Sequence, residues 1–215
     1  MDTKMMQYIS QLIVRYPALD VCRASIEQAY ELLSACFAQG SKLLICGNGG
    51  SAADAEHIVG ELMKSFVLER KLDADLQKKM QAVDSEMGAV LAEHLQGAMP
   101  AIALDGHFAL STAYTNDCEP LLCFAQQVNG FGKEGDVLLG ITTSGDSKNV
   151  LYAATVAKAK GMKVIGLTGE RESKLSSMAD VCIRVPGQET YQVQELHLPV
   201  YHTLCMMLED RFFGK

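Results

Sequence analysis

Short apolar runs alternate with helical patterns along this chain, and the alternation limits the folds that it can adopt. An apolar run bounded by glycine or polar residues is typical of a strand that is buried on both faces. Such runs occur at 42–46, 101–104, 136–141, 163–167 and 181–185. Strands separated by helices pair in parallel, so the sequence predicts an α/β fold with a doubly wound, mostly parallel sheet flanked by helices.

Helical spacing of apolar residues fills the stretches before and between these runs. It predicts helices at about 5–16, 19–38, 148–160 and 192–213. The first two precede any strand, so we expect them to pack outside the sheet or against another subunit. The polar segment 69–96 keeps a helical stripe of Leu, Met and Val, and we interpret it as an inserted helix. We therefore predict a single domain over 1–215, with N-terminal helices in 1–40 and a helical insert at about 69–96.

Charge and composition exclude several classes of partner. The net charge is −7, so direct nucleic acid binding is not expected, because phosphate backbones need a basic face. No run approaches the roughly 18 uninterrupted apolar residues of a membrane span, and the first residues lack a secretory pattern. The seven cysteines include no CxxC pair, which favours reduced thiols and no thiolate zinc site. We predict a cytoplasmic protein without a membrane association.

The first polar signal is the glycine-rich sequence CGNGGSAAD at 46–54, between a strand and a helix. Glycines let the backbone approach a ligand closely, and a helix N-terminus presents N–H groups to an anion. A tight turn in which Ser51 caps the helix is an equal alternative. The sequence lacks both GxGxxG and the lysine of a nucleotide phosphate loop, so we expect no nucleotide cofactor.

The second polar signal, GITTSGDS at 140–147, again follows a predicted strand. Thr142, Thr143, Ser144 and Ser147 offer hydroxyl donors around one helix start, although a capped turn would use the same residue types. Two such loops at the carboxyl ends of parallel strands favour a ligand crevice. Hydroxyls and backbone amides suit a phosphate monoester.

Histidines and carboxylates supply the remaining candidates. His57 and Glu61 are four residues apart, so they lie on one helical face and can ligate a metal or place a general base beside it. A surface His–Glu pair is the alternative. Gln194, His197 and His202 lie among apolar residues of the predicted last helix, where core histidines also occur.

Four of these segments, in this order and spacing, resemble the phosphoheptose isomerases of the sugar isomerase (SIS) domain class. The resemblance covers most of the chain from about Leu32 onward, apart from the insert. Its motifs are CGNGGSAADAEHIVGEL at 46–62, GDVLLGITTSGDSKNV at 135–150, GMKVIGLTG at 161–169 and QELHLPVYH at 194–202. It implies a single SIS domain that converts sedoheptulose 7-phosphate to a heptose 7-phosphate through an enediol. The other readings are isomerisation of another ketose phosphate, or a non-catalytic phosphosugar-binding regulator similar to a bacterial replication-initiation regulator.

The resemblance also implies roles for individual residues. Glu61 and His202 are the implied acid/base pair, and one zinc ion per subunit is implied. The implied metal ligands are His57, Glu61, Gln194 and His202. The implied substrate contacts are Asn48, Gly49, Gly50, Ser51, Glu61, Asn116, Asp117, Thr142, Thr143, Ser144, Ser147 and Gln194. A homotetramer with active sites at subunit interfaces is the implied assembly.

Two features bear on substrate and assembly. The family usually has an arginine near position 65 and an acidic residue near 191, where this chain has Ser65 and Tyr191, so the resemblance is less specific for the sugar.

Gln194 and His202 are eight residues apart, roughly 12 Å of rise on an unbroken helix. Either the helix starts after Gln194, or it bends near Pro199, or different subunits contribute the two residues. We predict a site at a subunit interface.

Overall fold

A five-stranded parallel sheet forms the centre of the computed structural model, which describes residues 3–214. The strand order is β2-β1-β3-β4-β5, and every pairing is parallel. The strands are β1 Leu43–Cys46, β2 Ala101–Ala103, β3 Val137–Ile141, β4 Lys163–Gly169 and β5 Val181–Val185. The predicted fold class is confirmed. Residues 1, 2 and 215, which the predicted domain includes, lie outside the described residues.

Helices cover both faces of this sheet. They are α1 Thr3–Arg15, α2 Arg23–Ala38, α3 Gly50–Met63, α4 Ala74–Val83, α5 Ser85–His94, α6 Phe108–Asp117, α7 Cys123–Phe131, α8 Lys148–Ala159, α9 Lys174–Met178 and α10 Thr190–Phe213. Short 3₁₀ helices cover Pro17–Cys22 and Pro120–Leu122. The second helix was predicted from 19 and begins at Arg23, because Pro17 starts a 3₁₀ turn ahead of it.

Alternate residues of the strands enter two hydrophobic cores, one on each face. Leu43 and Ile45 pack with α1, α2, α3 and α10, whereas Leu44 and Cys46 pack with α7 and α8. The N-terminal helices thus pack outside the sheet, as one of the two expectations had it. No helix among residues 3–214 is long and apolar enough to cross a membrane.

The insert is helical, as predicted, but it forms a hairpin of two helices instead of one. Asp84 has an extended backbone, and its carboxylate accepts hydrogen bonds from the N–H groups of Glu86 (3.0 Å) and Met87 (2.8 Å). This N-cap starts α5 and separates it from α4, although the apolar spacing of the sequence continues across Asp84. Gly88 lets the two helices cross closely, since a Cβ there would lie 2.5 Å from the Met80 carbonyl oxygen. A single bridge between Lys71 and Gln96 closes the base of the hairpin.

Candidate active site

Three of the predicted side chains converge between α3 and α10. His57 Nε2 lies 3.3 Å from Glu61 Oε1, one turn along α3, and 3.4 Å from His202 Nε2 on α10. Glu61 is nearly buried, whereas His57 and His202 are partly open to solvent. The packing of α10 across α3 brings together residues that are 145 positions apart in the sequence.

The surroundings of this cluster are defined by charges and rings. Lys64 Nζ contacts the second oxygen of Glu61 at 2.8 Å, which leaves Oε1 facing His57. The Phe66 ring lies 5.3 Å from the ring of His202. Burial and the neighbouring His57 lower the pKa of His202, and Glu61 offsets part of this effect. A neutral imidazole that lies near a carboxylate is suited to proton exchange near neutral pH.

Gln194 contacts the first residue of α3, seven residues before His57. Its side chain covers Gly50 at the start of α3, so closely that a Cβ on Gly50 would collide with the amide. The helix α10 begins at Thr190 and is assigned without interruption through Pro199 to Phe213. The explanation in which the helix starts after Gln194 is therefore wrong. A bend near Pro199 and a contribution from another subunit stay predictions.

The glycine-rich loop joins β1 to α3. Gly49 is the N-cap of α3 and has a φ of +57°, a left-handed conformation that favours glycine. The alternative in which Ser51 caps the helix is wrong, because Ser51 lies buried inside the first turn and no side chain caps α3. Asn48 exchanges two hydrogen bonds with Asn149 of α8, at 3.0 and 2.7 Å. These bonds tie the first loop to the element that follows the second loop.

The hydroxyl-rich loop joins β3 to α8, directly beside the first. Thr142 Oγ1 lies 2.9 Å from Ser147 Oγ and 3.4 Å from Ser144 Oγ. Ser147 is the N-cap of α8, but its hydroxyl makes no capping bond and faces Thr142 instead. Thr143 is partly buried and its carbonyl accepts a bond from Gly169 N–H, which attaches the loop to β4. The loop therefore gathers its hydroxyls at the start of a helix.

Asn116 and Asp117 are not brought to these loops by any hydrogen bond among the described residues. They lie exposed at the carboxyl end of α6, where Asn116 Nδ2 donates to Asp117 Oδ1 at 2.8 Å. The helix α6 packs against α7 and the 3₁₀ turn before it. Their substrate role stays a prediction.

Several residues of the site were given no role by the sequence reasoning, although three of them lie within the quoted motifs. Tyr201 and Asp54 hydrogen-bond each other behind His57, and Asn149 links the two loops. Asp105 follows β2 at the same edge of the sheet, and burial, together with Glu56, raises its pKa to about 6. Asp54 lies one turn before His57 on α3, which is the only local pattern that would have found any of them.

A metal site is not formed by the side chains as they stand. Among residues 3–214, no group of three or more His, Cys, Asp and Glu side chains is arranged to hold a metal ion. The two separations from His57 Nε2, 3.3 and 3.4 Å, match the distance between ligand atoms of a tetrahedral zinc ion, about 3.3 Å for bonds of about 2.05 Å. The residue types and the pair distances thus suit zinc, and the enclosure is incomplete.

Comparisons with known proteins place the chain in a family. A family model described as the SIS domain matches residues 7–97 and 86–169, two stretches that overlap at 86–97. A phosphoheptose isomerase of Burkholderia pseudomallei is 37% identical over 192 residues, which are 89% of this chain and 84% of that protein. The chain belongs to the SIS domain proteins and, within them, to the phosphoheptose isomerase family.

Solved structures agree with this assignment. A phosphoheptose isomerase from Francisella tularensis is 33% identical with a TM-score of 0.74, and the match covers 96% of this chain and 97% of that one. The phosphoheptose isomerase of Neisseria gonorrhoeae is 31% identical with a TM-score of 0.71 and covers 95% and 97% of the two chains.

Proposed function

We propose that this chain is an aldose–ketose isomerase that acts on a phosphosugar, with sedoheptulose 7-phosphate as substrate and a heptose 7-phosphate as product. The observation that carries this proposal is the convergence of Glu61 and His202 on His57, at 3.3 and 3.4 Å from its Nε2 atom, where α10 crosses α3. The phosphoheptose isomerases among its relatives support the choice of reaction and of substrate.

The phosphate has a suitable place beside this cluster. Strands β1 and β3 are neighbours, and the chain continues from β1 to β2 on one side and from β3 to β4 on the other. This is the switch point of the sheet, where ligands of doubly wound folds bind. The loops that end there supply the Ser51, Thr142, Ser144 and Ser147 hydroxyls and two helix N-termini, which suit a dianion.

The proposed reaction moves a proton between two adjacent carbons. Glu61, as a carboxylate, removes the proton from the carbon next to the carbonyl, while His202 delivers a proton to the carbonyl oxygen. Glu61 then returns its proton to the former carbonyl carbon of the enediol, and the hydroxyl on the other carbon gives its proton to His202 and becomes the new carbonyl. One C–H bond breaks and one forms, so no oxidant or reductant is needed.

Zinc belongs to this proposal as a resident ion, one per subunit. His57, Glu61 and His202 would hold it, with Gln194 of another subunit completing the set. When bound, it would polarise the substrate oxygen as a Lewis acid.

We also propose that the protein is a homotetramer and that it is cytoplasmic. The separation of Gln194 from His202 on one helix supports an active site at a subunit interface.

The test is to incubate the purified protein with sedoheptulose 7-phosphate and to follow aldose formation by NMR, with graded zinc. Glu61→Gln keeps the size of the side chain but removes the base, and we expect a loss of at least about 10²-fold in kcat. Glu56→Gln, an exposed change on the same helix, is the matched control.

Three outcomes separate the alternatives. Retention of activity by Glu61→Gln contradicts the acid/base assignment. Turnover of other ketose phosphates but not of the seven-carbon sugar contradicts the substrate. Binding of phosphosugars by a folded protein without any turnover supports the regulatory role instead.

A further inference from the structure

Tyr201 is a buried residue to which the sequence analysis gave no role, and it lies directly behind His57. It is 2% exposed. Its hydroxyl donates to Asp54 Oδ1 at 3.1 Å and lies 3.0 Å from His57 Nδ1. The two rings meet edge to face, with centroids 5.5 Å apart. The His57 ring is thus held from the side opposite to Glu61 and His202.

The protons of this relay can be assigned by counting. A carboxylate only accepts hydrogen bonds, and a hydroxyl has a single proton. The Tyr201 proton goes to Asp54, so the contact with His57 is a hydrogen bond in which Nδ1–H donates to the Tyr201 oxygen. A neutral imidazole that is protonated on Nδ1 has its free electron pair on Nε2.

That electron pair points into the proposed active site. Nε2 faces Glu61 Oε1 at 3.3 Å and His202 Nε2 at 3.4 Å. In the other tautomer, His57 Nε2–H would donate a hydrogen bond to Glu61 Oε1. Glu61, the proposed base, would then already accept a proton donor, and Nε2 would have no free electron pair for a metal ion. The protonation of one ring nitrogen therefore decides whether the site presents two electron-pair donors or a closed hydrogen bond.

We propose that Tyr201, together with Asp54, is a positioning residue that fixes the Nδ1–H tautomer of His57 and keeps Nε2 available as an electron-pair donor. This inference rests on the proposed function for its consequence in catalysis, but the tautomer itself is independent of turnover. Residues behind a ligating histidine usually change metal affinity by 10- to 100-fold when they are removed.

The experiment compares the wild-type protein with Tyr201→Phe, which removes only the hydroxyl. Long-range ¹H–¹⁵N NMR of the histidine rings at pH 8 is expected to show Nδ1–H at His57 in the wild type and the Nε2–H form in the variant. Zinc affinity, measured by competition with a chelator, is expected to fall about 10- to 100-fold. We expect kcat to fall while KM for the phosphosugar, anchored at the loops, stays within about twofold.

Tyr8→Phe is the matched control, because it removes a second Tyr–Asp contact, Tyr8 to Asp210, at the far end of α10. It is expected to leave the His57 tautomer and the zinc affinity unchanged. An Nε2–H tautomer in the wild-type spectrum overturns the inference even if Tyr201→Phe does not fold. Unchanged tautomer and zinc affinity in a folded, active variant overturn it as well. A tautomer change in a protein without isomerase activity supports the inference and refutes the proposed function.

Discussion

Two adjacent regions after α3 differ in which side chains they bury: one buries a charged residue, and the other leaves apolar residues exposed. Residues 64–70, which we call the strap, end in Arg70, whose guanidinium forms a fully buried ion pair with Glu209 at 2.7 Å. The hairpin α4–α5 begins four residues later and leaves its apolar side chains in solvent, with Val83 90% and Met87 68% exposed. The strap therefore buries a charged side chain, whereas the neighbouring hairpin exposes apolar side chains.

The strap can bury these charges because Arg70 and Glu209 have many hydrogen-bond partners, whereas the hairpin has few contacts outside itself. Arg70 also donates to the carbonyl oxygens of Glu61 (2.6 Å) and Leu62 (2.7 Å), and Glu209 accepts from the N–H groups of Phe66, Val67 and Leu68. Burial alone would raise the pKa of Glu209, but these backbone bonds and Arg70 lower it overall. In contrast, α4 and α5 pack chiefly against each other, and of their residues only Gly88 is buried.

The strap has a consequence for the site. Arg70 binds the end of α3 at Glu61, and Glu209 lies seven residues, or two turns, after His202 on α10. One ion pair therefore fixes the two helices that carry the proposed acid/base pair relative to each other. The hairpin leaves from the same place without any such attachment.

The largest effect is expected from breaking the ion pair. Arg70→Met should lower the free energy of unfolding by about 3–5 kcal/mol, because Glu209 is left buried without its cation. Urea unfolding followed by circular dichroism measures this. The double variant Arg70→Met/Glu209→Leu should recover part of the loss. If Arg70→Met alone is as stable as the wild type, the buried ion pair does not stabilise the strap, and the proposed difference between the strap and the hairpin is refuted.

A buried polar group with poor hydrogen bonding tests the same rule on α10. His197 is fully buried, and among the described residues neither ring nitrogen makes a hydrogen bond of good geometry. Burial lowers its pKa to about 4, and a contact with the Thr168 backbone offsets this only in part. The unfolded chain, with an ordinary pKa near 6.5, binds the proton first, so stability is complete above about pH 6.5 and falls toward pH 4.

The free energy of unfolding should fall by about 3 kcal/mol between pH 7 and pH 4, because the pKa of His197 is about 4 in the folded chain and near 6.5 in the unfolded chain. Urea titrations between pH 7 and 4 measure it. His197→Gln should flatten the slope, and His94→Gln, an exposed change on α5, should not. Equal slopes in His197→Gln and in the wild type would show that His197 does not titrate on unfolding.

The smallest effect is expected in the hairpin. Val83→Lys should change the free energy of unfolding by less than about 0.5 kcal/mol, because the side chain is already in solvent. Ile58→Ala, a buried change on α3, should cost about 2–5 kcal/mol and serves as the comparison. A loss above about 1.5 kcal/mol at Val83 that grows with protein concentration would mean that another copy of the chain covers the hairpin.

Local patterns predicted much of this molecule. The strands were placed within about two residues because each is a short apolar run between polar breaks. The hairpin was interpreted as one helix because its apolar spacing continues across Asp84, and only the backbone of that residue shows the break. His57 and Glu61 were paired from their spacing, whereas the distance from Gln194 to His202 required the course of α10.

The five strands, their parallel pairing, the helices α1, α2, α8 and α10 and the two polar loops were predictable from the sequence, because they depend on periodicity and on residues close along the chain. The contacts of His202 with His57, of Tyr201 with Asp54 and of Arg70 with Glu209 are visible only in the folded chain. These partners lie 139 to 147 residues apart. Such contacts have no local signature, because they arise when α10 folds back across α3 to bury the apolar faces of both helices.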